Sequence, residues 1–168
     1  MQLNDNNKII SKAESLVKVH GTRDASSLAK ALDITIMPRN FTTQKGAYIY
    51  IARNPYILLK NDLPEPIRSI VILHEIGHHM LHKDIAKSFK EFNIFDMTGN
   101  VMEYEANLFA AQIMLPDPDV IDYMKQGFTV AQIAAAMSSD INLVALKAAS
   151  LVTQGYELNV PEHKRNFL

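Results

Sequence analysis

Cysteine is absent from the 168 residues, so the chain can hold no disulfide, no thiol nucleophile and no thiolate metal site. Any metal must be bound by histidine and carboxylates. An excess of one charge sign is also missing. Lysine and arginine number 17 against 18 aspartate plus glutamate, a net charge of -1, whereas a protein built to neutralise a polyphosphate backbone would be far more basic. Direct nucleic-acid binding is therefore not expected. Apolar runs such as Ile70 to Leu73 end far short of the roughly 18 residues a bilayer needs, and MQLNDNNKII has neither a basic nor an apolar targeting region. The expectation is a soluble, cytoplasmic protein with no membrane partner. Low-complexity and repeated segments are lacking too, and 48% hydrophobic with 21% charged residues describes an ordinary globular chain.

At ~100–200 residues per domain, the length predicts one domain, or one domain with a small helical appendage. Residues 8–19 carry Ile9, Ala13, Leu16 and Val17 at helical spacing and end in His20-Gly21, a helix followed by a glycine stop. Asp24 then caps a short amphipathic helix that closes near Asp33. Three β-rich runs follow, Ile34 to Met37, Ala47 to Ala52 and Tyr56 to Lys60, and predict a small, mostly antiparallel sheet. Pro64 and Pro66 suit the first turn of a long helix over Leu63 to His82. A second apolar helix runs from Val101 to Leu115, where Pro116 stops it. Beyond it lie a short helix from Asp117 to Gly127 and two more, Thr129 to Met137 and Asp140 to Val152. A division into residues 1–116 and a helical part, 117–168, packed on them as one unit is expected.

Histidine is unevenly distributed: four of the six, His74, His78, His79 and His82, fall within nine residues. His74-Glu75-Ile76-Gly77-His78 reads HExxH inside the long helix. At ~100° per residue, positions i and i+4 lie about 40° apart and one turn apart, so both imidazoles reach one ion. Glu75 lies beside that ion without having to bind it. Metal-assisted peptide hydrolysis needs this arrangement, because the ion acidifies a water whose proton the neighbouring carboxylate accepts. A catalytic zinc site takes three protein ligands and leaves a fourth position for water. Asp84, Glu91, Asp96, Glu103 and Glu105 are the downstream candidates. Glu103 and Glu105 sit on the second strong helix but face different ways, and only Glu103 has Asn107 one turn behind it, an amide able to accept from a ligating imidazole. Glu103 is the favoured ligand; Glu105 remains its rival, although a surface carboxylate is the simpler reading of it.

HEIGHHMLHKD, followed by EYEANLFAAQIMLP at Glu103 to Pro116, resembles the ImmA/IrrE family of metallopeptidases over most of the chain. Carried over residue by residue, the resemblance implies that His74, His78 and Glu103 bind the metal and that Glu75 is the general base. It implies zinc as cofactor, with manganese an alternative that leaves the chemistry intact. It further implies a protein substrate, a helix-turn-helix repressor whose cleavage derepresses the genes of a mobile element or prophage. The expected fold class is α+β: a zincin-like, gluzincin-type domain with a three-stranded sheet, a motif helix, a ligand helix and a helical, helix-turn-helix-like C-terminal part.

Other residues invite weaker assignments. His82 lies one turn past His78 and reads as packed or solvated, His79 faces elsewhere and reads as structural, and His20 receives no role. Tyr104, Tyr123, Tyr156 and His163 are open candidates for stabilising an oxyanion. Phe89, Phe92 and Phe95 suit an apolar wall for a peptide, or the core. VAQIAAAMSSDINLVALKAASL resembles a helix-turn-helix. From Asp117 onward, however, four basic residues face six acidic ones, which points to packing or protein recognition. Two rival functions stand beside proteolysis: a metal-containing anti-repressor that binds a repressor or DNA without cutting, and an Fe(II) site, for which Glu75 would be unnecessary.

Overall fold

The computed structural model describes residues 3–88 and 100–157. Phe89, Phe92, Phe95, Glu91, Asp96 and His163 lie outside the described residues, as does the side chain of Asp84.

Helix α1 (Leu3–His20) buries Ile9, Ala13 and Leu16, one stripe at i, i+4 and i+7, and turns its charged residues outward. Gly21 ends it at φ +65°, where its N–H reaches the Val17 carbonyl at 2.8 Å, a position that a side chain would strain. In α2 (Ala25–Ala31) the Asp24 carboxylate accepts from the Ser27 N–H at 2.7 Å, and the Ser27 side chain together with that N–H holds its pKa below the usual aspartate value.

Strands β1 (Thr35–Arg39), β2 (Gly46–Ile51) and β3 (Asn54–Lys60) form one sheet in the order β1-β3-β2. Ala52 and Arg53, at φ 49° and 68°, make the two-residue hairpin that pairs β2 antiparallel to β3. The other pairing, β1 with β3, is parallel, so the sheet is mixed and the mostly antiparallel expectation is corrected. The reason is directional: the chain reverses once between β1 and β2 and again at Ala52-Arg53, which returns β3 to the heading of β1. Central β3 is covered on both faces, with Ile57, Leu58 and Leu59 all buried.

Helix α3 (Ile67–Ser88) begins four residues later than expected. Each proline disfavours helical backbone in the residue before it, so Leu63 and Glu65 are held out and the first turn forms only beyond Pro66. The Pro64 and Pro66 carbonyls then accept from Arg68 and Ile70, both at 3.0 Å. Helix α4 (Asn100–Met114) packs along α3, and the two come close at Gly77, where a Cβ would lie 3.0 Å from the Ala106 Cα. Helices α5 (Asp117–Lys125), α6 (Val130–Ala136) and α7 (Ile141–Thr153) complete the described chain.

Two apolar clusters result. One joins α1, α2 and the sheet to α3 and α4; the other joins Ile70 of α3 and Ala111 of α4 to α5, α6 and α7. Helices α6 and α7 turn through 114°, within the helix-turn-helix range. Positions 143–148 of α7 are nevertheless all buried, so the helix that would read a groove is instead part of the core. Among the described residues, no single helix is long and apolar enough to cross a membrane.

Candidate metal centre

The middle of α3 is buried, and its polar residues are buried with it: His74, Glu75 and His78 are 5%, 6% and 6% exposed. Helical spacing stacks His74 over His78 with ring centroids 4.7 Å apart and their Nε2 atoms 3.1 Å apart. Glu103, in the first turn of α4, closes a triangle with them. Its Oε2 lies 3.2 Å from His74 Nε2 and its Oε1 3.3 Å from His78 Nε2. Ligand atoms of all three residues lie within 4.8 Å of one another, close enough to hold one metal ion.

The remaining ring nitrogens are occupied. His74 Nδ1 lies 2.8 Å from Asn107 Oδ1, so Nδ1–H donates to the amide oxygen and Nε2 is the nitrogen turned toward Glu103. Asn107 is 1% exposed and one helical turn from Glu103, so α4 brings a donor atom and the partner of a donor ring to the same site. Two imidazole nitrogens and one carboxylate oxygen, the His74 ring aimed inward by the bond behind it, fit a divalent transition metal.

Charge in the site follows from burial opposed by neighbours. Burial pushes His74 down, but the Glu103 carboxylate, with Glu75 and Asn107, outweighs it and raises the pKa. For His78 burial prevails over Glu103 and lowers the pKa to about 4. Glu103, despite its own burial, is held far below the usual carboxylate range by hydrogen bonds and charge from the two imidazoles. Glu75 is pushed up to about 7, first by burial, with Glu103 adding to the rise and His74 and the Tyr48 backbone N–H opposing it. A carboxylate near neutrality, beside the triangle but outside it, is suited to exchanging protons.

Strand β2, the sheet edge against α3, fixes the position of that carboxylate. A Cβ on Gly46 would fall 2.9 Å from Glu75 Oε1 and 2.6 Å from Val71 Cγ1, so only glycine lets the strand pass this close. Tyr48 adds a second tie, its hydroxyl 2.8 Å from His79 Nδ1. His79 thus serves the strand-to-helix contact and lies apart from the triangle, in keeping with its structural reading.

The two glutamates of α4 separate as their spacing predicts, and Glu105 is not in the triangle. It is not a bare surface carboxylate either, because its Oε2 meets His82 Nε2 at 2.8 Å. His82, 6% exposed, in turn places Nδ1 3.0 Å from His78 Nδ1. Sequence reasoning missed this pairing; its one signal was the spacing of His82 four residues past His78. Of the tyrosines, Tyr104 has its hydroxyl by Asn6 of α1 at 3.4 Å, Tyr123 packs on Phe128, and Tyr156 is exposed after α7. None of these contacts brings a phenol to the triangle.

Comparison with known proteins agrees with this geometry. Residues 29–147 match the model of the IrrE N-terminal-like domain. "Uncharacterized immunity region protein 2" of Bacillus phage phi105 is 34% identical over 139 residues, covering 82% of this chain and 87% of that protein. "Metallopeptidase ImmA" of Bacillus subtilis (strain 168) is 30% identical over 128 residues, 74% of each chain.

Proposed function

The chain belongs to the family of IrrE N-terminal-like domains and is a homologue of the metallopeptidase ImmA, and from that premise we propose that it is a zinc-dependent, site-specific endopeptidase of gluzincin type. Its substrate is a helix-turn-helix repressor, whose cleavage switches on the genes of a mobile element or prophage. One observation carries the catalytic part: two imidazoles and a carboxylate converge on one point, with a second carboxylate, at the elbow of the HExxH motif, held beside them. One relative is named as a metallopeptidase and the other for the immunity region of a phage, and the two names together support proteolysis in prophage control.

His74, His78 and Glu103 would hold the ion. When bound there, zinc supplies a Lewis acid that polarises the scissile carbonyl and brings a water to a pKa of ~7; manganese would serve the same end. The protein does the rest. Asn107 holds the His74 ring by its Nδ1–H, and Glu103 brings one carboxylate to the two rings. Glu75, fixed by the Tyr48 N–H and by the strand passing over Gly46, takes the proton of the attacking water on its carboxylate. It then gives that proton to the leaving amine, which departs neutral.

Incubation with the helix-turn-helix repressors encoded beside its gene tests the proposal. Glu75→Gln is expected to retain its metal and lose roughly 10²–10⁴-fold in cleavage rate, the usual worth of a general base. Undiminished cleavage by Glu75→Gln would sink the mechanism, and intact repressor held in a tight complex would favour the anti-repressor reading.

A further inference from the structure

Behind His78 runs a chain of contacts that binding three ligands does not require. His78 Nδ1 lies 3.0 Å from His82 Nδ1, and His82 Nε2 lies 2.8 Å from Glu105 Oε2. The three groups come from two helices, and both imidazoles are buried. Their order permits one hydrogen-bond arrangement when the His78 Nε2 lone pair faces the triangle. The His78 proton then sits on Nδ1 and donates to His82 Nδ1. The His82 proton is consequently on Nε2 and donates to the Glu105 carboxylate, which can only accept. Each ring therefore fixes the tautomer of the next, and the anion at the end anchors the series.

We propose that His82 and Glu105 are positioning residues that lock the tautomer and orientation of His78 and so set metal affinity. The inference rests on the reading of His78 as a ligand. It makes the site symmetrical in logic: His74 is aimed by one residue of α4, Asn107, and His78 by another, Glu105, acting through His82. It also accounts for the two glutamates of α4, one facing the triangle and the other the far end of the relay. Outer partners of this kind are worth roughly 10–100-fold in metal affinity.

The test is zinc affinity of the full-length protein, stripped and reloaded, measured by competition with a chromophoric chelator, together with the visible spectrum of the cobalt-loaded form. His82→Phe keeps a flat ring in the space and removes the acceptor; it is expected to weaken zinc binding 10–100-fold and to alter the cobalt bands. His82→Asn restores an acceptor oxygen near the Nδ1 position and should recover part of the loss. Glu105→Met, at a partly exposed position, keeps the length of the side chain and removes the acceptor; it should weaken binding about tenfold with His82 present and add nothing in the His82→Phe background. Zinc affinity within twofold of the parent in Glu105→Met, or an equal Glu105→Met effect with and without His82, would overturn the relay, the first of these even if His82→Phe failed to fold. A parent protein that bound no zinc would instead overturn the ligand reading beneath it.

Discussion

Asn107 shows how much of the site depends on single atoms. Its Oδ1 is the partner of a buried imidazole N–H, and no other acceptor is within reach of that nitrogen among the described contacts. Asn107→Leu keeps the volume close and removes the acceptor, leaving the His74 Nδ1–H unpaired at a cost of about 1–3 kcal/mol. The ring is then free to turn. Zinc affinity, read by chelator competition, should fall 10–100-fold, whereas Asn107→Asp, which still accepts, should lose far less. Residue-level chemistry of this sort was partly legible beforehand. The shared face of His74 and His78 could be read because helix periodicity orders residues within one element, and Glu103 stood out by Asn107 one turn behind it and by the family resemblance. His82–Glu105 and Tyr48–His79 could not, since their partners lie 23 and 31 positions away and meet only through packing.

At the scale of elements, the contact between α3 and α4 governs the site, because each helix carries part of the ligand set. Gly77 lies between the two histidines of the motif, and the Cβ of an alanine there would meet the Ala106 Cα at 3.0 Å and its carbonyl oxygen at 3.2 Å. Both are backbone atoms and cannot swing aside. Gly77→Ala is expected to destabilise the fold by about 1–3 kcal/mol in a denaturant titration. It should also move Glu103 away from the histidines and weaken metal binding. The elements themselves were largely readable, because burial imposes a 3.6-residue period on helices and loops carry their own stop signals. The errors came from backbone rules acting beyond one element. Two prolines delayed the start of α3, and two reversals of direction made β1 parallel to β3.

Across the whole molecule, a polar network joins the ends of the described chain. Lys147 of α7 is fully buried and donates to the Asp117 carboxylate and the Gln112 amide oxygen. Gln112 donates in turn to Glu14 of α1 at 2.8 Å, and Arg23 joins Glu14 at 3.1 Å to the Gln112 and Ile113 carbonyls at the end of α4. Burial pushes the pKa of the Lys147 ammonium down, with Asp117 opposing. Removing one partner of such a buried set strands the others: Lys147→Met is expected to cost about 3–5 kcal/mol. We propose on the same ground that residues 1–116 and 117–168 unfold as one unit. Circular dichroism and tyrosine fluorescence should then give coincident transitions in the parent protein, and separate ones would show two units. The helix-turn-helix pattern of α6 and α7 belongs at this scale too. Its apolar spacing is real, but the buried face of α7 serves the core, a distinction that periodicity alone cannot make.

The most direct measurement is the zinc content of the purified full-length protein, dialysed against trace zinc, beside that of Glu103→Ala. A centre built from His74, His78 and Glu103 predicts about one zinc per chain in the parent and its loss, or a large weakening, in the variant, with the fold of both intact. No zinc in the parent, or one zinc held equally well without Glu103, would contradict it.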